Sequence, residues 1–283
     1  MKTECNTSSF HTPTPPEKYR HAIFFMIHSQ FHYGDAEHAQ YETQGFCILD
    51  HFLTDAALTS CREHVDRMVD GVPGTAVEVM IGTHQRDQRW LWELAGEEKL
   101  LDMLERQIGP NIVLWSTHLL CKSPRTGSLV PWHQDAPFWN VSGTLSGGVW
   151  IPLDDVDEGN GTMSVLPGWH TRGALPTNAR AGEIFDQEID PEIVPDDVDE
   201  RKVVYCLKAG QMATHHTMIP HSSVPNTSDR WRRLIVLRYM AADGQFGARE
   251  YTDYRTGETF PRRFFLMRGK DVNGFGLEHS PFE

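Results

Sequence analysis

The stretch PWHQDAPFW at 131–139 sets His133 and Asp135 two residues apart. In an extended segment, side chains at i and i+2 leave the same face, so these two point together and Gln134 points away. An imidazole and a carboxylate aimed the same way can hold a metal ion, or they can be a solvated pair. A metal site needs at least one more ligand. The histidines downstream are His170, His215, His216, His221 and His279. His221 ends a β-rich run, GQMATHHTMIPH, directly after Pro220, where a side chain can turn into a barrel. Two histidines and one carboxylate on one side of a metal leave three positions open. That set is diagnostic of non-haem Fe(II) oxygenases, though zinc with a water can use the same ligands. The pattern alone is weak, because a chain with 15 histidines produces it by chance.

The residues after His221 strengthen it. They read SSVPNTSDRWRR, and a turn at Pro225–Asp229 would return the chain as an adjacent strand. Arg232 then lies on that strand, where an inward guanidinium clamps a carboxylate by paired hydrogen bonds. Arg230, Arg233 and Arg238 compete for this role; Arg230 lies in the turn, and Arg233 faces the opposite side of the strand. An open-sided iron beside a carboxylate clamp is what 2-oxoglutarate requires.

Three stretches now carry a specific resemblance: WSTHLLCKSPRTGSLVPWHQDAPFW, GGVWIPLDDVDEGNGTMSVLPGWH and GQMATHHTMIPHSSVPNTSDRWRRLIVLRYM. Their order and spacing over residues 36–245 resemble the phytanoyl-CoA dioxygenase family of Fe(II)/2-oxoglutarate oxygenases. The resemblance implies a double-stranded β-helix (jelly-roll) core with helices packed outside. It implies His133, Asp135 and His221 as iron ligands and Arg232 as partner of the distal carboxylate of 2-oxoglutarate. It also implies that Ser223 reaches that cosubstrate, and that Lys122, Trp139 and Trp150 line the pocket. Plain core packing is the rival reading for the two tryptophans, and snorkelling at the barrel mouth for Lys122. Relatives that halogenate carry a small residue in place of Asp135, so the carboxylate here favours oxygenation. The implied cofactors are Fe(II), 2-oxoglutarate as cosubstrate and O2. The implied reaction hydroxylates a C–H bond of a small molecule and releases succinate and CO2.

These residues need a scaffold. The 283-residue chain is long enough to bury a core, and 39% hydrophobic with 23% charged residues is ordinary globular composition. Helices come first: AEHAQYETQ ended by Gly45, a helix from an N-cap Thr54, and a helical region over 87–109 ended by Gly109-Pro110. Strand signals follow from 111 onward, with a turn at Asn160-Gly161 and the clearest strand at 232–240. Helices followed by many strands predict an α+β fold with a double-sheet jelly-roll barrel. Residues 1–35 read as an N-terminal extension and 36–283 as a single domain. Within the extension, His11, His21, His28 and His32 have no metal-motif spacing and read as non-functional. The acidic stretch 173–200 reads as a long loop, and Asp154, Asp155 and Asp157 as a solvated face.

The formal charge of −13 argues against nucleic acid and anionic membranes as partners. The five cysteines form no C-x-x-C and read as reduced thiols, with Cys47 and Cys121 as buried small hydrophobes. No apolar run approaches the ~20 residues that span a bilayer, and no secretory signal is visible, so the expected location is cytoplasmic. A monomer or homodimer is expected. Two rival functions remain: a cupin-like metal isomerase or hydrolase without 2-oxoglutarate, and a non-catalytic small-molecule-binding barrel.

Overall fold

The computed structural model describes residues 26–72, 74–85, 88–180, 185–253 and 256–282. Its centre is the antiparallel pair Ile112–Leu119 and Leu234–Ala241. These belong to a seven-stranded sheet. Its order is Phe46–Leu49, Met212–His216, Ser146–Pro152, Leu234–Ala241, Ile112–Leu119, Phe265–Arg268, and Met80–Ile81 also pairs with Ile112–Leu119. A second sheet orders Val203–Val204, Met163–Val165, His221–Ser223 and Val130–His133. A cavity of about 400 Å³ takes lining residues from both sheets, so the two sheets face each other across it. This is the jelly-roll arrangement expected, built as two hydrogen-bonded sheets.

Leu234–Ala241 shows how one strand serves two neighbours. All eight residues are buried. Ile235, Leu237 and Tyr239 face a core shared with the helices, whereas Leu234, Val236 and Arg238 line the cavity. Side chains alternate between faces, so Arg232, Leu234, Val236 and Arg238 form one inward row.

The helices cover the outer face of the large sheet. Thr54 caps the helix Asp55–Val69, its hydroxyl accepting from the Ala57 amide at 3.2 Å. The helix Asp35–Gln44 ends at Gly45, whose φ of 80° suits glycine. A Cβ there would also lie 2.5 Å from the His170 ring. The expected helical region 87–109 is two helices, Arg89–Ala95 and Glu98–Ile108. The break falls at Gly96-Glu97, where Glu97 leaves helical geometry (ψ 125°) and its carboxylate accepts the Met26 amide at 3.0 Å. The second helix buries Leu100, Leu101, Met103, Leu104 and Ile108 against the sheet. Each such side chain contributes roughly 1.5–3 kcal/mol.

Of the expected extension 1–35, residues 26–35 are described, and they join the core. Met26, Ile27 and Phe31 are buried, Ile27 bridges Leu53, and Phe31 meets Phe52 edge-on at 5.2 Å. His11 and His21 lie outside the described residues, as does Cys5; His28 is half-buried and His32 is exposed. Cys47, Cys61 and Cys121 are buried and Cys206 is exposed, all as free thiols. The stretch 173–200 differs from the expected loop. It holds a hairpin of Thr177–Ala179 with Gln187–Ile189 and a short helix, Val198–Arg201. Among the described residues no helix is long and apolar enough to cross a membrane.

Candidate metal and cosubstrate site

Val130–His133 pairs with His221–Ser223, and His133 stands opposite His221 with ring centroids 4.0 Å apart. Asp135 joins them by a route the sequence did not show. The strand ends at His133, and Asp135 has helical backbone angles (φ −74°, ψ −47°) before the 3-10 turn Ala136–Phe138. The amides of Asp135 and Ala136 both donate to the Thr217 carbonyl, at 3.1 and 3.2 Å, which ties this turn to the approach to His221. One carboxylate oxygen lies 4.0 Å from His133 Nε2 and the other 3.9 Å from His221 Nε2. One ligand atom from each of the three residues lies within 4.8 Å of the others.

These atoms suit a divalent metal. Nδ1 of His133 lies 2.8 Å from the Pro131 carbonyl, and Nδ1 of His221 lies 3.0 Å from the Ile219 carbonyl. A carbonyl only accepts, so both Nδ1 atoms carry the proton and both Nε2 lone pairs are left toward Asp135. Burial pushes both imidazoles down to about 4, so both are neutral at pH 7. Burial would raise the Asp135 carboxyl, but Arg238 and then the neighbouring histidines hold it well below its ordinary range. Arg238 Nη1 donates to Asp135 Oδ2 at 2.6 Å. Separations near 4 Å are too long for hydrogen bonds; three ligands on one side of an ion at bonds of about 2.1 Å would stand about 3 Å apart, so these side chains would draw together by about 1 Å around a metal.

Arg232 and Lys122 occupy one end of the cavity. Their backbones pair with each other, with N–O distances of 2.9 and 3.0 Å. Arg232 donates from Nη1 to the Gly161 carbonyl at 2.7 Å and from Nη2 to the Leu120 carbonyl at 3.0 Å. Its Nε is buried and has no partner among the described residues. Lys122 Nζ donates to Ser223 Oγ at 2.8 Å and to the Val224 carbonyl at 2.6 Å. Gly161 makes this approach possible: its φ is 77°, and a Cβ would lie 2.6 Å from the Val224 carbonyl and 3.0 Å from Lys122 Cδ. Asn226 supports the same corner, donating from Nδ2 to the carbonyls of Lys122, Ser123 and Arg230. Both cations are nearly inaccessible, Lys122 at 1% and Arg232 at 4%. Burial and then Arg232 push Lys122 down to about 6, and burial pushes Arg232 down to about 10. Glu78 is the carboxylate that counters both, and it already accepts the Ser128 amide. Two like charges buried side by side would be costly, so without an anion the Lys122 amine is held mostly neutral beside Arg232.

The remaining sequence candidates separate cleanly. Trp139 and Trp150 both line the cavity and both are buried core aromatics, so the two readings coexist. His215 also lines the cavity, 3.9 Å from Asp135 Oδ2. His216 leaves by the other face and meets His170 at 5.1 Å between ring centroids. His279, beyond the bridge at Glu278, is not among the lining residues. Arg230 pairs with Asp157, and Arg233 with Asp154 and Asp66. Lys208 pairs with Asp155. Asp155 and Asp157 stay about half exposed at 50% and 48%, as a solvated face would be, though each is ion-paired, whereas Asp154 is mostly covered by Arg233.

Two residues of the site were missed. Arg238 was weighed only as a rival to Arg232; its even spacing from Arg232 was the available signal. Gln134 does point away from the metal cluster, but into the protein. Its Nε2 donates to the Gly173 and Met218 carbonyls at 2.9 and 2.7 Å, and its Oε1 accepts the Leu175 amide at 2.8 Å. It thus fastens the base of the 177–189 hairpin to the ligand turn. Gln134→Leu keeps the volume and removes three hydrogen bonds to half-buried or exposed main-chain groups, so a loss of about 1–3 kcal/mol is expected. Thermal unfolding of the metal-free protein checks this, and an unchanged midpoint would reject the clamp.

Comparison with known proteins identifies what this chain is similar to. The family model described as "Phytanoyl-CoA dioxygenase (PhyH)" matches residues 41–234. A "Probable alpha-ketoglutarate-dependent hypophosphite dioxygenase" of Stutzerimonas stutzeri is 31% identical over 58% of this chain, and the match spans 58% of that relative's length. The L-proline trans-4-hydroxylase of Streptomyces griseoviridis is 25% identical over 71% of this chain and 84% of its own. Among solved structures, the apo form of the non-heme monooxygenase ThoJ superposes with a TM-score of 0.68 at 27% identity, covering 87% of this chain and 88% of that one.

Proposed function

The chain belongs to the phytanoyl-CoA dioxygenase family, and from that premise we propose that it is an Fe(II)- and 2-oxoglutarate-dependent dioxygenase hydroxylating a C–H bond of a small molecule. The observation that carries this reading is the pairing of two sites in one cavity. Two neutral imidazoles and an ionised carboxylate converge at one place, and a buried, under-compensated Lys122–Arg232 pair waits at one end. The named relatives, a hypophosphite dioxygenase and a proline hydroxylase, point the same way.

In this reading His133, Asp135 and His221 hold the metal. Iron bound there supplies activation of O2, so that R–H, O2 and 2-oxoglutarate become R–OH, succinate and CO2. The protein does the rest. Pro131 and Ile219 keep each ligand histidine in the tautomer that offers Nε2. Arg238 keeps Asp135 ionised and oriented. Lys122, Ser223 and Arg232 receive the distal carboxylate of 2-oxoglutarate and fix which way round it lies. Trp139 and Trp150 wall the cavity and exclude water. A cavity of about 400 Å³ must hold both cosubstrate and substrate, which fits a small molecule rather than a macromolecule. We place the enzyme in the cytoplasm as a monomer or homodimer, where iron stays ferrous and its thiols stay reduced.

The test is a metabolite screen for succinate release with Fe(II), ascorbate and 2-oxoglutarate. Succinate is expected to form with a matching substrate and to stop when a chelator removes the metal. Turnover that ignores 2-oxoglutarate would favour the isomerase or hydrolase reading instead.

A further inference from the structure

A third imidazole faces the metal ligands from the opposite sheet. His215 lies on Met212–His216 of the large sheet, whereas His133 and His221 belong to the small one. Its ring lines the cavity, is 2% exposed, and stands 5.4 Å from the His221 ring, centre to centre. Gly148 is its register partner on the neighbouring strand, and a Cβ there would lie 3.3 Å from His215 Cε1. The missing side chain at 148 thus gives the ring its seat beside the cavity.

His215 is not one more ligand of the same kind. The ligand atoms that lie within 4.8 Å of one another come from His133, Asp135 and His221, and not from His215. The tautomers differ as well. At His133 and His221 a carbonyl beside Nδ1 fixes the proton there and turns a lone pair toward Asp135, an arrangement that only a cation between them relieves. His215 has no such carbonyl. Its Nδ1 is buried with no partner among the described residues, and its Nε2 stands 3.9 Å from Asp135 Oδ2. Burial lowers this imidazole while Asp135 pulls against it, so the ring is neutral at pH 7 and carries a single N–H. A lone pair on Nε2 would face the carboxylate acceptor to acceptor, whereas an N–H there is attracted to it. The proton therefore belongs on Nε2. The gap exceeds a hydrogen bond by about 1 Å, which a modest rotation of the ring or of the carboxylate closes.

We propose that His215 is a positioning residue: its Nε2–H and the Arg238 guanidinium together hold Asp135 Oδ2, so that Oδ1 is the oxygen offered to the metal. Arg238 Nη1 donates to the same Oδ2 at 2.6 Å, and Oδ1 is the oxygen 4.0 Å from His133 Nε2. A carboxylate oxygen has two lone pairs, so Oδ2 can accept both donors. With one donor the carboxylate is freer to swing and give the ion both oxygens. A second donor on the same oxygen resists that swing and keeps a position open for the cosubstrate. The proposal rests on the reading of His133, Asp135 and His221 as metal ligands and deepens it by naming what orients the carboxylate.

The test uses the full chain and needs no turnover. Nitrogen NMR of the wild-type imidazoles with Zn(II) bound should show His215 as the Nε2–H tautomer and both His133 and His221 as the Nδ1–H tautomer. Calorimetry with Co(II), without cosubstrate, then reads metal affinity. His215→Phe should weaken Co(II) by about 10–100-fold. His215→Gln sets an amide N–H where Nε2 stood and should return to within about threefold of wild type, with the wild-type Co(II) absorption spectrum. His215→Asn sets its N–H where Nδ1 stood and should stay about as weak as His215→Phe. An Nδ1–H tautomer at His215, wild-type affinity in His215→Phe, or equal affinities in His215→Gln and His215→Asn would overturn the proposal. So would complete loss of Co(II) from His215→Gln, because His215 would then be a ligand. Failure of the wild-type chain to bind Co(II) at all would instead overturn the ligand reading on which the proposal stands.

Discussion

Asp135→Ala is expected to abolish Fe(II)-dependent succinate formation and, independently, to destabilise the metal-free protein by roughly 3–5 kcal/mol. The two effects have separate causes. The first follows from the ligand set: two imidazoles without the carboxylate lose the only anion that meets the cation. The second follows from Arg238, which is 6% exposed and donates to Asp135 Oδ2 at 2.6 Å. Removing the carboxylate takes that compensation from a buried guanidinium, and such half-removals cost far more than deleting a whole pair. For a chain of this size the unfolding midpoint should fall by about 10 °C. The checks are bound iron by elemental analysis, succinate by chromatography, and thermal unfolding without metal. Full iron occupancy with normal succinate would reject Asp135 as a ligand. An unchanged midpoint would reject the structural weight given to the ion pair. Asp135→Ala with Arg238→Met restores an apolar match, and this double variant should recover stability without recovering iron.

The same pair shows where the sequence was readable. His133, Asp135 and His221 stood out because their residue types are rare together and lie at strand ends. Arg232 stood out because it follows the last ligand by one turn and a strand. Arg238 did not, because its meaning depends on Asp135, which is 103 residues away in sequence and adjacent only after folding. The parity of 232 and 238 was visible, but parity places a side chain on a face without naming its partner. Asp135 reached its place by a turn rather than by strand alternation, so the expected convergence held for a different reason. The sequence shows a helical region over 87–109 and its end at Gly109-Pro110, but not its division into two helices. What breaks it is a tertiary bond, Met26 to Glu97, which no local pattern encodes. The hairpin in 173–200 was unreadable for a similar reason. Its Thr177–Ala179 strand is exposed throughout and shows no apolar alternation. Gln134 and Asn226 belong to the same class: buried amides whose partners are main-chain atoms from distant segments.

Lys122 carries the second large expected effect, on the affinity for 2-oxoglutarate. Burial first, and then the Arg232 guanidinium, push its amine down to about 6, while Glu78 pulls weakly the other way. The amine is therefore mostly neutral at pH 7 to 8 when no anion is present. A carboxylate arriving between Lys122, Ser223 and Arg232 favours the charged amine, so binding takes up a proton. Affinity should then be greatest near pH 6 and weaken by up to about tenfold per pH unit above it, until the amine of the complex itself titrates. Calorimetry of 2-oxoglutarate binding to the Ni(II)-loaded chain, in two buffers of different ionisation enthalpy, counts the proton directly. Lys122→Met should bind 10–100-fold more weakly at pH 6, take up no proton, and show a flat profile from pH 6 to 8. Arg232→Ala should weaken binding as well and move the wild-type profile to higher pH, because the like charge that helps depress Lys122 is gone. Stability offers an independent check of the sign. The unfolded lysine binds its proton up to about 10.5 and the folded one only to about 6, so native stability should rise as pH rises through that window. That rise should be absent in Lys122→Met. A wild-type affinity that stays level from pH 6 to 8, with no proton taken up, would show that Lys122 is charged throughout and that the anion slot is not built as described.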